Sequence, residues 1–263
     1  MLTAVKNQLK VCRLSMKYSI MREMINTKTF LFSTILMFIS NASFLVQWTI
    51  IISVTKDPSI TMKQILLVWG FAAVGFGFQE LFFSGVNAIP SFIVEGKLDA
   101  YLVQPKNVLL SVATSKSSMP AIGDIAYGLV ALMLAVPSVS TFFYALLFSI
   151  LGGIVYASFS VIVSSTLFFS IEFRELVETI KRIPVGFATY PETIFHGVTK
   201  VLFYTVLPIA YIVYMPVRFM LTNNYLLLLY VLLFTIFIAA LAFGIFNIGL
   251  KRYSSANLMG ARV

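Results

Sequence analysis

Apolar residues in this chain gather into six long runs separated by short polar connections, at 30–52, 65–89, 119–137, 142–169, 198–216 and 225–250. Crossing a hydrocarbon layer takes roughly 20 such residues as a helix, and each run reaches or approaches that length. The third is the weakest, because Asp124 sits in its first turns and Pro137 ends it early. The fifth region carries Pro184, Pro191, Pro208 and Pro216. A proline removes a backbone hydrogen bond and is tolerated in a span where neighbours repair the loss, so a kinked or partly re-entrant segment near the outer face is expected there.

Composition turns this pattern into a class. Of 263 residues, 59% are hydrophobic and 11% charged, whereas soluble domains carry about a quarter charged residues. So few charges cannot cover a wet surface, and lipid must be the solvent. The expected fold is an all-α integral membrane protein with six transmembrane helices. It forms one domain, with no internal repeat or low-complexity linker: an amphipathic N-terminus over 1–28, a six-helix body over 30–250 and a tail over 251–263. Residues 1–28 hold Lys6, Lys10, Arg13, Lys17, Arg22 and Lys28 without a long apolar run, so the first span reads as a retained helix and not a cleaved signal. Val5, Leu9, Cys12, Met16 and Ile20 fall within about 80° on a helical wheel, the pattern of a helix in the membrane interface. A basic start that only fixes topology reads as well.

The basic residues set the orientation. With a cytoplasmic N-terminus, 16 of the 19 Lys and Arg lie in inner segments and only Lys56, Lys63 and Arg218 in outer ones, which puts both termini in the cytoplasm. The net charge of +9 is therefore read as topology and headgroup contact, not nucleic-acid binding. The inner stretch IEFRELVETIKRI places Phe173, Leu176, Val177, Ile180 and Ile183 at helical spacing, with Glu178 and Arg182 four apart and Pro184 as a stop. It is expected to prolong the fourth span into the cytoplasm.

Catalytic chemistry is missing from the sequence. There is no phosphate-binding G-x-x-x-x-G-K-[ST] loop, no H-E-x-x-H and no G-x-S-x-G. The single cysteine, Cys12, excludes an internal disulfide, and the single histidine, His196, has only Glu192 at ligand spacing. Two ligands do not close a metal site; a local hydrogen bond near the cytoplasmic surface is the simpler use. No cofactor site is expected. Two carboxylates stand in the spans. Glu80 lies well inside the second, where it either serves a cation or proton path or is a buried carboxyl bonded to Gln79 or another helix. Asp124 reads as a helix cap. Ser33, Ser40, Ser43 and Gln47 share an arc of about 80° on the first span, a polar stripe that lines an aqueous path or packs on another helix. Ala73 with Gly77, and Gly153 with Ala157, are spaced for close helix contact.

The inner loop after the second span has a short helix-length stretch between Gly96 and Pro105, with Leu98, Tyr101 and Leu102 on one face and Lys97 and Asp99 elsewhere. Such a stretch suits docking a partner; an ordinary loop has the same spacing. This loop, GKLDAYLVQP, together with the basic start MKYSIMREMINTKTFLF, the segment YPETIFHGVTKVLFYTVLPIAYIVYMP and the end FNIGLKRYSSAN, resembles the permease subunits of ABC-2 type ATP-binding-cassette transporters, in their bacterial branch. The resemblance implies an ABC-2 permease fold of the type V exporter kind, in the bacterial plasma membrane, forming half of a translocation path with a second permease, identical or homologous. It also implies two separate ATPase subunits that hold the ATP. Gly96, Lys97, Leu98, Asp99, Tyr101, Leu102 and Pro105 would then form the coupling helix seated in the ATPase. Two other readings stay open: a membrane sensor or immunity subunit that moves no cargo, and an ion-driven secondary transporter working through Glu80.

Overall fold

The computed structural model describes residues 2–254 apart from Asp57 and Ser59, with side chains from Val5 onward. Most of the expected tail, with Arg262 and the end of the FNIGLKRYSSAN motif, lies outside the described residues. Helices α1 (Leu2–Met24) and α2 (Thr27–Thr55) open the chain. The Asn26 side chain accepts from the Thr29 N–H to start α2, and Lys56 ends it at a left-handed φ of 50°. Thr61 and Gln64 form a reciprocal capping box at the start of α3 (Met62–Phe83). A 3-10 turn, Ser84–Ala88, leads into α4 (Ile89–Val94), then α5 (Asp99–Leu102) and α6 (Val108–Ala113). There follow α7 (Ala121–Ala135), α8 (Val139–Ser165) and α9 (Arg174–Phe187). Then come α10 (Gly197–Thr205), a π-helical turn Ala210–Tyr214 running into α11 (Met215–Thr222), and α12 (Tyr225–Leu250). There is no strand among the described residues.

Four helices are long and apolar enough to cross a membrane: α2, α3 continued through α4, α8 continued to Phe168, and α12. A fifth appears if α10 and the 210–222 segment, bent by 80°, are taken as one. The third apolar run yields only the 15 residues of α7, about 22 Å of helix. It stops because Val136, which precedes Pro137, is extended.

Helix α3 is the axis of the bundle. Its glycines let α7 and α8 close on it from two sides: Gly70 lies against Leu132 and Gly128 of α7, and Gly75 against Ser149 and Gly153 of α8. A Cβ on Gly153 would stand 2.6 Å from the Gly75 carbonyl, so this crossing requires glycine. The expected close contacts at Gly77 and Gly153 are therefore both used, Gly77 against Ala121 and Ile125 of α7. Phe71 meets Phe148 edge-on, and Phe168 meets Phe246 to seat α12 on α8. Helix α2 is peripheral. Only Trp48 on it is buried, and Phe32, Ile35, Leu36, Ile39, Ile50 and Val54 stay exposed.

One end of the bundle carries α1, α5 and α6; it is called the near end here, and the far end carries the α2–α3 and α7–α8 turns. Residues 174–192 do not prolong the fourth span, as the sequence suggested. Arg174 lies 3.9 Å from Glu95 at the near end, the Lys181 ammonium donates to the Asn87 carbonyl at 3.4 Å, and Tyr190 reaches Trp48. Glu192 then lines a cavity with Gln64 and Val68 at the far end. Helix α9 and the residues that follow it to Glu192 thus run antiparallel to α3. Pro184 lies inside it and does not stop it. The buried stripe also differs from the expected apolar face: Val177, Lys181 and Pro184 turn inward while Phe173 and Leu176 are exposed. Glu178 pairs with Lys181 at 3.6 Å. Lys200, placed on the inner side by the sequence, belongs to the far end. Residues 197–222 begin and finish there, because Lys200 and Arg218 both bind Glu192. The π turn packs Ile212 against Gly152, midway along α8. The fifth apolar run is a hairpin that dips into the bundle, as its prolines suggested, and not a straight span.

The N-terminal helix uses one position of its apolar face for packing. Cys12 is buried, but Val5 and Leu9 are exposed, and α1 is tied to α6 by polar contacts. The Gln8 carbonyl oxygen accepts from the Asn107 N–H at 2.9 Å, and its amide reaches Ser111 at 3.4 Å.

Candidate functional site

A cavity of about 440 Å³ opens between α2, α3, α7 and α9. Its walls include Ser40, Asn41 and Phe44 of α2, Trp69, Phe76 and Glu80 of α3, Asp124 of α7, Tyr156 of α8, and Val185 and Thr189 of α9. A second cavity of about 350 Å³ shares Asn41, Phe44, Trp69, Val185 and Thr189 and continues to Gln47, Trp48 and Tyr190. Together they form a groove from the Glu80 level toward the far end.

The structure brings Ser40, Gln47 and Glu80 to this groove. Ser33 and Ser43 do not line it; their hydroxyls donate back to the Phe30 and Ser40 carbonyls of their own helix. Glu80 accepts from the Asn87 amide at 2.5 Å and the Ser84 hydroxyl at 3.0 Å, whereas Gln79 donates to the Phe83 carbonyl instead. Asp124 does not cap α7. It accepts from the Asn41 amide at 2.5 Å, across to α2. Asn41 was not singled out in the sequence, although an amide in an apolar run was the available signal.

The near-end loop turns at Gly96, whose φ of 71° suits glycine. Leu98 is fully buried and anchors the loop, and Tyr101 stacks on Phe92 at 5.7 Å. The expected face of Leu98, Tyr101 and Leu102 is thus divided. Its first two members hold the loop to the body, while Leu102 and Val103, the latter 83% exposed, form an apolar tip with exposed Pro105. The one-turn α5, from Asp99, carries that tip. Glu95 at the loop base binds Lys97 and faces Arg174. The Lys97 hydrogen bond, and the charges of Lys97, Arg174 and Lys116 against a weak effect of burial, hold its carboxyl below its ordinary value of 4.5.

At the far end, Glu192 gathers the hairpin. Arg218 donates from Nε at 2.8 Å and Nη2 at 2.5 Å, Tyr204 from its hydroxyl at 2.9 Å, and Lys200 lies at 3.1 Å. Burial pushes this carboxyl up, but the hydrogen bonds from Lys200, Tyr204 and Arg218 outweigh it and hold it below its ordinary value of 4.5. His196, four residues on, is exposed at the start of α10. Among the described residues no three His, Cys, Asp or Glu side chains group as metal ligands.

A helical bundle with several bilayer-length apolar helices defines a multi-pass membrane protein. The model of the family described as ABC-2 family transporter protein matches residues 24–257, and the chain belongs to that family. It is a permease-type component of an ABC transporter and not itself catalytic. No curated protein and no solved structure matches the chain.

Proposed function

We propose that this chain is an export permease that forms half of a translocation path and is driven through the 96–105 loop by a separate ATPase pair. The observation that carries the reading is the apolar tip of Leu102 and Val103, held out at the near end by a buried Leu98. Exposed apolar residues on an anchored turn suit a groove on a soluble partner. Six crossings, by α2, α3, α7, α8, α9 and α12, suit the same reading, with both termini cytoplasmic in a bacterial plasma membrane. A second permease, identical or homologous, would close the groove beside α2 and α9, where α2 leaves its apolar face uncovered. ATP binding would then move the loop and tilt the two halves about the groove.

The test is a pair of exposed substitutions, Leu102→Glu and Val103→Glu. The variant chain is expected to reach the membrane normally but to lose co-purification of the ATPase. Undiminished ATPase capture would show that the tip is not the docking element. Leu98 is unsuited to this test, since changing a buried anchor confounds docking with folding.

A further inference from the structure

Two acids line the groove and no cation does. Glu80 and Asp124 both line the 440 Å³ cavity, and none of its described lining residues is a lysine or arginine. Their side-chain partners are neutral: Asn87 and Ser84 for Glu80, Asn41 for Asp124. The nearby cation, Lys181, is only 3% exposed and is paired with Glu178 while donating to the Asn87 carbonyl. It stands behind the Glu80 wall, where its charge is shared between Glu178 and Glu80, and no described ion pair reaches Asp124. The remaining lining is aromatic, with Phe44, Trp69, Phe76 and Tyr156. Trp69 is nine-tenths buried and stacks on Phe44 at 4.7 Å. Acids with neutral partners in an apolar wall are costly on their own and favour a cation that completes them. Aromatic faces attract the same cation and bury its apolar body.

We infer that this cavity binds hydrophobic organic cations, with Glu80 and Asp124 as the charge-recognising groups and the aromatic walls holding the apolar part. The inference rests on reading the groove as the cargo route. Its test is a binding measurement on the full chain without ATPase, so it succeeds or fails separately from the docking test.

Tetraphenylphosphonium and tetraphenylborate have nearly the same size and shape and opposite charge. Equilibrium dialysis against the purified full-length chain, with fluorescence of Trp48 and Trp69 as a second readout, should show saturable binding of the cation and none of the anion. Glu80→Gln and Asp124→Asn should each weaken the cation about 10-fold, the loss of one Coulombic attraction, and together abolish binding. Should the carboxyl variants fail to fold, Ser40→Lys, at an exposed position of α2 on the cavity wall, should remove cation binding by adding a positive charge. Equal binding of both ions would overturn the inference and mark an apolar pocket. So would unchanged cation affinity in the carboxyl variants, or in Ser40→Lys.

Discussion

Glu192→Gln removes one negative charge from between Lys200 and Arg218 while nearly keeping the side chain's shape. The Glu192 side chain is 14% exposed, whereas those of Lys200 and Arg218 are 44% and 46% exposed, so water screens the donors but hardly the acceptor. A fully exposed pair contributes about 0–1 kcal/mol and a hydrogen bond to a charged group about 1.5–3 kcal/mol. A two-pronged arginine contact of intermediate exposure falls near ~2 kcal/mol, or about 30-fold in a local opening equilibrium. Hydrogen exchange followed by mass spectrometry reads this directly: amides in α10 and α11 should exchange about 30-fold faster in the variant, with α12 unchanged. The pH dependence follows from the lowered carboxyl. Its contribution is complete above the ordinary value of 4.5 and is lost as pH falls through the lower folded value. Once corrected for intrinsic rates, hairpin exchange in the native chain should be level from about pH 7 to 5 and rise only in stronger acid. The variant should show no such rise. Exchange within twofold of the native chain at pH 7, or equal loosening of α12, would refute the clamp.

Leu98→Ala should lower stability by about 2–5 kcal/mol, seen as a drop in thermal midpoint, because the side chain is fully buried; an unchanged midpoint would mean that the loop is not anchored there. Gly153→Val forces a Cβ against the Gly75 carbonyl and should cost at least about 1–3 kcal/mol and reduce the yield of monodisperse protein. Normal yield and midpoint would show that α3 and α8 do not cross so closely. For Lys181→Met, the losses are the Asn87 carbonyl contact, the Glu178 pair and a weaker attraction to Glu80, and Glu178 is exposed enough to return to water. The thermal midpoint should therefore reflect a change of no more than about 1 kcal/mol, and a loss above about 3 kcal/mol would reveal a larger role for the ammonium.

Where lipid is the only thing a helix must satisfy, the sequence was enough: the 225–250 run is α12 to the residue, and 30–52 lies inside α2. Helix α9 was legible as a helix but not in its course, because Arg174, Glu175, Glu178, Lys181 and Arg182 break any apolar run. Two of its charges are answered from another part of the chain, Lys181 by the Asn87 carbonyl and Arg174 by Glu95, and no local pattern announces such partners. Basic-residue counting then misassigned Lys200, since it presumed that 198–216 crossed. In the groove, Ser40, Gln47 and Glu80 were legible as polar groups in apolar helices. Asp124 was taken for a cap because a carboxylate in a first turn is ordinarily one, and its actual donor, Asn41, lies 83 residues away. The loop was legible in position but not in orientation, as the spacing of Leu98, Tyr101 and Leu102 does not say which of them turns inward.

The hairpin has a consequence for parity. Residues 197–222 leave and rejoin the same end of the bundle, so they add nothing to the odd or even number of passages that decides which side a later residue occupies. That number turns instead on the stretch that holds α9, a 14-residue helix rich in charge and carrying a buried lysine. Extra residues in the hairpin's tip at 206–209 would leave the side of every downstream residue unchanged, whereas in the six-crossing arrangement proposed above failure of α9 to insert would invert α12 and everything beyond it. In that arrangement the sidedness of the C-terminal third is entrusted to the helix whose polar groups must find their partners before it can settle in lipid.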